Sequence, residues 1–141
     1  MSVFNIIVIE DNEIEMGMQS HIFETIENIQ LFAFSTGLDA LKFFKAKHDF
    51  TIDMVLCDRQ LPDFDGLALL KSFRQNYRAR LFYIVTPHTS EFLVRKSKWA
   101  NASGFSSKPY ITARVIVFIE KCQKKKATEQ ALLKAQSQRR G

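Results

Sequence analysis

The sequence predicts an α/β domain built as (βα)5: a doubly wound, parallel, five-stranded sheet with an extended C-terminal helix. Three observations carry this. Five short apolar runs alternate with longer segments whose apolar residues recur at helical spacing. The runs lack polar alternation, which suits strands covered by helices on both faces. The chain has 141 residues and 46% hydrophobic content, enough for one real core.

Taken in order, "VFNIIVI" (3–9) reads as a buried strand. "EIEMGMQSHIFETI" (13–26) follows as a helix, with Ile14, Met18, Ile22 and Ile26 four apart on an inward face. "IQLFAF" (29–34) is the second strand, and "GLDALKFFKAKH" (37–48) a second helix with Leu38, Leu41 and Phe44 inward. "DMVLC" (53–57) is strand three and "GLALLKSFRQNY" (66–77) helix three. "RLFYIV" (80–85) is strand four, and "SEFLVRKSKWANA" (90–102) a helix with a basic face of Arg95, Lys96 and Lys98. "GFSS" (104–107) is a short fifth strand, and a last helix starts at Thr112. Crossovers between parallel strands are right-handed, which winds these units into one sheet.

Charge divides the chain. Residues 1–65 carry 4 Lys/Arg against 12 Asp/Glu, residues 66–120 carry 9 against 2, and residues 121–141 carry 7 against 1. The excess of positive charge therefore sits in the tail. "EKCQKKKATEQALLKAQSQRRG" is rich in helix formers, lacks a sustained heptad and has no aromatic among its charges. We read residues 1–122 as the domain and 123–141 as a basic helical extension or linker toward an output domain. Single-strand stacking needs aromatics, so direct nucleic-acid binding is not expected. The longest apolar run, "VIVFI" (115–119), is far too short to span a membrane, and the expected location is cytoplasmic. Cys57 and Cys122 then read as reduced, buried thiols.

In such sheets the site forms beyond the C-terminal strand ends, where strand order reverses. Strand one ends before Glu10 and Asp11, strand three before Asp58, strand four before Thr86, and strand five before Lys108. Singly, each of these residues is more often a cap or a surface charge. Together they would place three carboxylates, a hydroxyl and an ammonium around one pocket. Three carboxylates raise one another's pKa unless a cation sits among them. Mg²⁺ suits hard oxygen ligands and leaves room for phosphate oxygens. Asp58 could then stay ionised and act as a nucleophile toward phosphorus.

At these residues the sequence resembles the receiver domain of two-component response regulators, a flavodoxin-like fold. The resemblance rests on "IIVIEDN", "VLCDRQLPDFDG", "YIVT" and "ASGFSSKP", in that order, and covers residues 4 to about 122. It implies that Asp58 is the phosphoacceptor and that Asp11 ligates Mg²⁺ directly, with Glu10 acting mainly through water. The Gln60 backbone carbonyl would complete the metal set of Glu10, Asp11, Asp58 and Gln60. Thr86 would be the switch hydroxyl, Phe105 the switch aromatic and Lys108 the phosphate-binding lysine. The implied donor is a sensor histidine kinase or a phosphotransfer protein. The implied output face, formed by the fourth helix, fifth strand and last helix, would contact a partner, an output domain or a second copy. Such a domain catalyses its own phosphorylation and dephosphorylation without being an enzyme with an external product.

Pro87 departs from the pattern, which has a small residue after the switch threonine. Proline has no N–H to offer a phosphoryl group, and its ring restricts Thr86 toward extended backbone. The alternative is therefore a pseudo-receiver, a constitutive interaction module with altered switching. Gln60 and His88 would flank the path of the attacking water and tune phosphate lifetime. A haloacid-dehalogenase-like phosphatase would need a second acid two residues after the nucleophile, where Gln60 stands. A nucleotide-binding reading lacks both G-x-G-x-x-G and a P-loop.

Overall fold

The computed structural model describes residues 3–58, 61–76, 81–86, 103–107 and 112–140. In chain order these hold β1 (Phe4–Ile9), α1 (Glu13–Glu24), β2 (Ile29–Phe34), α2 (Gly37–Lys45), β3 (Met54–Asp58), α3 (Gly66–Asn76), β4 (Leu81–Thr86), β5 (Gly104–Ser107) and a C-terminal helix (Thr112–Arg140). The strands form one parallel sheet in the order β2-β1-β3-β4-β5. The expected five-stranded α/β architecture is therefore the observed one. The expected helix over 90–102, with Arg95, Lys96 and Lys98, lies outside the described residues.

Burial follows strand position. All six residues of β1 and the first four of β3 are buried, as central strands between two helical layers must be. Edge strand β2 is only partly buried or exposed. On one face α2 and α3 cover Ile7, Ile9, Val55 and Phe82 with Phe44, Leu70 and Phe73. Phe73 packs against both Phe44 and Phe82, at centroid distances of 5.2 and 5.3 Å. Each of these buried rings stabilises the fold by roughly 2–3 kcal/mol through area alone. On the other face Ile6, Val8, Met54 and Leu56 meet Phe23 and Ile119.

Two helix faces differ from their sequence reading. In α1 the buried positions are Gln19, Ile22 and Phe23, followed by Ile26 beyond the helix end, whereas Ile14 and Met18 are 76% and 60% exposed. At 3.6 residues per turn, each four-residue step overshoots a full turn by about 40°. Three such steps carry Ile14 about 120° away from the face that holds Ile26. The helix ends at Glu24, and the Thr25 N–H and hydroxyl both donate to the Ile22 carbonyl. In α2, Ala40 and Phe44 are buried and Leu41 packs partly against the core, but Leu38 is exposed in the first turn. α2 ends at Lys45, because Ala46 is already extended.

The C-terminal helix is held to the lower end of the sheet beyond its core contacts. Lys126 Nζ donates to Asp53 Oδ2 at 2.8 Å and to the Val3 carbonyl at 2.9 Å. Gln123 Nε2 donates to the Glu27 carbonyl at 2.8 Å. Asp53 is itself buried and also accepts from the Asn5 N–H. The basic extension expected from residue 123 thus begins with two residues that grip the domain. From Ala127 to Arg139 the helix is exposed, including Leu132 and Leu133.

Candidate functional site

The chain leaves β1 toward β2 on one side and later places β3 on the other side of β1. Strand order therefore reverses between β1 and β3, and their C-terminal ends flank a crevice. Glu10 directly follows β1, and its N–H donates to the Phe34 carbonyl at 3.0 Å, extending the ladder to the rim. Its side chain is buried, with the residue 2% exposed. Asp58 is the last residue of β3, paired in register with Val85 of β4, and is half-buried where the preceding four residues are fully buried.

Glu10, Asp58 and Glu15 form one acidic group, with a carboxylate oxygen from each lying within 4.8 Å of the others. Oxygens around an octahedral Mg²⁺ at about 2.1 Å lie roughly 3 to 4 Å apart, so these three would need to close only slightly around such an ion. Asp11, the expected direct ligand, is exposed and stands outside that group. Glu15 was not singled out from the sequence. It is the third helical residue after Asn12, the N-cap of α1, whose side chain accepts from the Glu15 N–H at 3.0 Å. In a capping box the glutamate at this position reaches back to the cap's own amide. Here that amide donates to Glu10 Oε1 at 3.4 Å, and the Glu15 carboxylate joins the crevice. The Asn-x-x-Glu pattern marked the residue; the destination of its side chain depends on where β3 ends.

The electrostatics register on Cys57, one residue before Asp58. Burial pushes its thiol well above the ordinary range, and the negative charges of Asp58, Asp65 and Glu10 push it further. Its Sγ donates to the Asp58 carbonyl at 3.2 Å, so this cysteine is a protonated core residue. Both cysteines are free thiols.

The backbone of Thr86 ends β4 and pairs with Ser107 at the end of β5, while Phe105 pairs with Ile84. Gln60, Pro87, His88 and Lys108 lie outside the described residues. The loop between β3 and α3 is anchored in several places. Leu61 is buried in the core, and its N–H donates to the Phe64 carbonyl at 3.2 Å. Asp65 Oδ1 accepts from the Leu67 N–H at 2.9 Å and opens α3. Asp63 reaches across to α2, accepting from the N–H groups of Gly37 and Leu38 at 2.9 Å each. Those amides, Gly37's foremost, hold the Asp63 carboxyl below its ordinary range. Among the described residues, no helix is long and apolar enough to cross a membrane.

Comparison with known proteins bears on this crevice. The family model described as the response regulator receiver domain matches residues 6–120. The chain is 27% identical over 115 residues to the DNA-binding transcriptional regulator NtrC of Proteus hauseri, an alignment covering 82% of this chain and 23% of that protein. The chain thus spans about a quarter of that relative's length. The receiver domain of a putative LuxO repressor protein from Vibrio parahaemolyticus superposes with a TM-score of 0.78, at 22% identity, covering 92% of this chain and 97% of that one. A CheY-like receiver domain protein from Methanospirillum hungatei gives a TM-score of 0.77, at 21% identity, covering 90% and 99%. Sheet order, acidic crevice and family match agree: the chain belongs to the response regulator receiver domain family, the signalling domains of two-component systems.

Proposed function

We propose that this domain accepts a phosphoryl group on Asp58 from a histidine kinase or phosphotransfer protein and passes the change to a partner or output domain. The observation that carries the reading is the gathering of Glu10, Glu15 and Asp58 at the reversal point of a receiver sheet. Their oxygens suit Mg²⁺, with Glu10 acting mainly through water; Asp11, next to Glu10 in the chain, would turn in to ligate the ion, and the Gln60 carbonyl would complete the proposed ligand set. Bound there, Mg²⁺ would neutralise charge on the phosphoryl oxygens. An Asp58 oxygen attacks phosphorus; the bond from phosphorus to the donor's imidazole nitrogen breaks, and the donor leaves with that electron pair. Lys108 and the Thr86 hydroxyl hold the remaining phosphoryl oxygens. Water later attacks the same phosphorus, releases inorganic phosphate and restores the carboxylate.

The added charge, roughly −1.5 to −2, then biases pre-existing conformations. In this reading Thr86 moves toward the phosphoryl group, Phe105 turns into the vacated space, and the face around β5 and the C-terminal helix changes shape. That face would meet a partner, an output domain or a second copy, in the cytoplasm. Pro87 favours a second reading, a pseudo-receiver that binds its partner constitutively, because it removes one backbone donor beside the phosphoryl group. Titration with Mg²⁺ and then beryllium fluoride, followed by calorimetry and amide NMR, separates the two. Saturable Mg²⁺-dependent binding with shifts reaching β5 and the C-terminal helix supports the switch. Binding whose shifts stay at the crevice supports the second reading, and no binding of either overturns the phosphoacceptor reading.

A further inference from the structure

Asp63 lies five residues beyond the proposed acceptor and outside the acidic group, yet its side chain reaches across to α2. Its two carboxylate oxygens take the N–H groups of Gly37 and Leu38 separately, each at 2.9 Å. Helix α2 does not depend on them to begin. Its own N-cap, Thr36, already accepts from the Asp39 N–H at 3.2 Å, and Ala40 and Phe44 seat the helix in the core. The fixed element is therefore α2, and the element being fastened is the loop.

A second contact closes the same clasp. A Cβ at Gly37 would lie 2.8 Å from both Cβ and Cδ2 of Phe64. Real Cβ atoms do not approach so closely, and the Phe64 Cβ is too near the backbone to swing aside. Residue 37 must be glycine for Phe64 to sit where it does. Residues 61 to 65 are thus pinned by Leu61 in the core, Phe64 on Gly37, and Asp63 on the first amides of α2. Asp58, three residues before this stretch, ends β3, and Asp65 at its far end accepts from the Leu67 N–H and opens α3.

We infer that Asp63, with the Gly37–Phe64 contact, is a positioning residue for the phosphoacceptor site. It holds the loop after β3 against α2, so that Asp58, at the strand end where that loop begins, keeps its place beside Glu10 and Glu15 for Mg²⁺. This role rests on the phosphoacceptor reading above. Residues supporting a metal's ligands typically change its affinity by about 10–100-fold when lost.

Asp63→Ala removes both acceptors, Asp63→Asn keeps one, and Gly37→Ala displaces Phe64 from the other side. The readouts are Mg²⁺ affinity by calorimetry, the initial rate of phosphorylation by acetyl phosphate, and thermal unfolding. Asp63→Ala is expected to weaken Mg²⁺ binding about tenfold and to slow phosphorylation while the protein stays folded at the assay temperature. Asp63→Asn should fall between it and wild type. Gly37→Ala should act in the same direction, and the double variant should lose less than the two losses combined, because both break one clasp. A variant with a lowered melting temperature but wild-type Mg²⁺ affinity and rate would overturn the inference, since that is how a purely structural cap behaves. If Asp63→Ala does not fold, Asp63→Asn and Gly37→Ala decide by the same criterion. A wild type that takes up neither Mg²⁺ nor a phosphoryl group would overturn the functional reading itself, and this role with it.

Discussion

The two ends of the sheet arrange their acids differently. At the lower end Asp53 is matched inside the chain: Lys126 donates to it at 2.8 Å, and so does the Asn5 N–H. At the upper end Glu10, Glu15 and Asp58 turn toward one another. A paired acid of the first kind fixes an element, here the C-terminal helix, at the cost of desolvating both charges. Acids gathered with their like raise one another's energy unless a cation joins them. The lower acid attaches a helix, and the upper three gather as a group that a cation could join. The difference is visible although Asp53 directly precedes β3 and Asp58 ends it.

Substitutions at either end should have distinct effects. The largest effect is expected at Asp58: Asp58→Asn should lose phosphoryl uptake from acetyl phosphate completely while keeping the wild-type circular dichroism spectrum. Next comes the lower end. Lys126→Met should destabilise the domain by about 3 kcal/mol, because it leaves Asp53 buried without its cation; urea unfolding reads this directly. A smaller effect is expected from Glu15→Gln, which removes one of the three gathered acids. It should weaken Mg²⁺ binding about tenfold with little change in stability.

Acid pH sharpens the upper end further. The Gly37 and Leu38 amides lower the Asp63 carboxyl relative to its unfolded value. Its contribution is therefore fully present above about pH 4 and is lost as pH falls through the lower folded value. The Gly37 and Leu38 amide resonances should titrate with a midpoint below the ordinary aspartate range. The smallest effect is expected at Leu132→Gln and Leu133→Gln, within about 0.5 kcal/mol. Both side chains are exposed, two turns beyond the Lys126 contact on the same helix.

Much of this was legible because strand ends are legible. The apolar runs 3–9, 29–34 and 53–57 locate β1, β2 and β3 to within a residue, and Glu10 and Asp58 follow from them. Asp58 proved to be the last residue of β3 rather than the first of the loop, since its register partner Val85 extends the ladder. What stayed hidden was rotation about helix axes. Ile14, Met18 and Leu38 look inward by spacing; Ile14 and Leu38 sit in the first turns of their helices, and Met18, in the second turn of α1, is rotated away from the face of Gln19, Ile22 and Phe23. Glu15 was hidden for the same reason: on α1 it shares the inward side with Gln19, and its neighbour there is an acid from another strand. The grip of Lys126 could not be read from a run of three lysines. Which of them meets Asp53 depends on helix phase accumulated from Thr112 onward.

We propose that the gathered acids make Asp58 a Mg²⁺-dependent phosphoacceptor. The most direct test is the intact mass of the protein after incubation with acetyl phosphate and Mg²⁺, beside an EDTA sample and Asp58→Asn. We predict a single phosphoryl adduct on wild type, absent from both controls. An adduct that persists in Asp58→Asn, or a wild type that gains none, would contradict it.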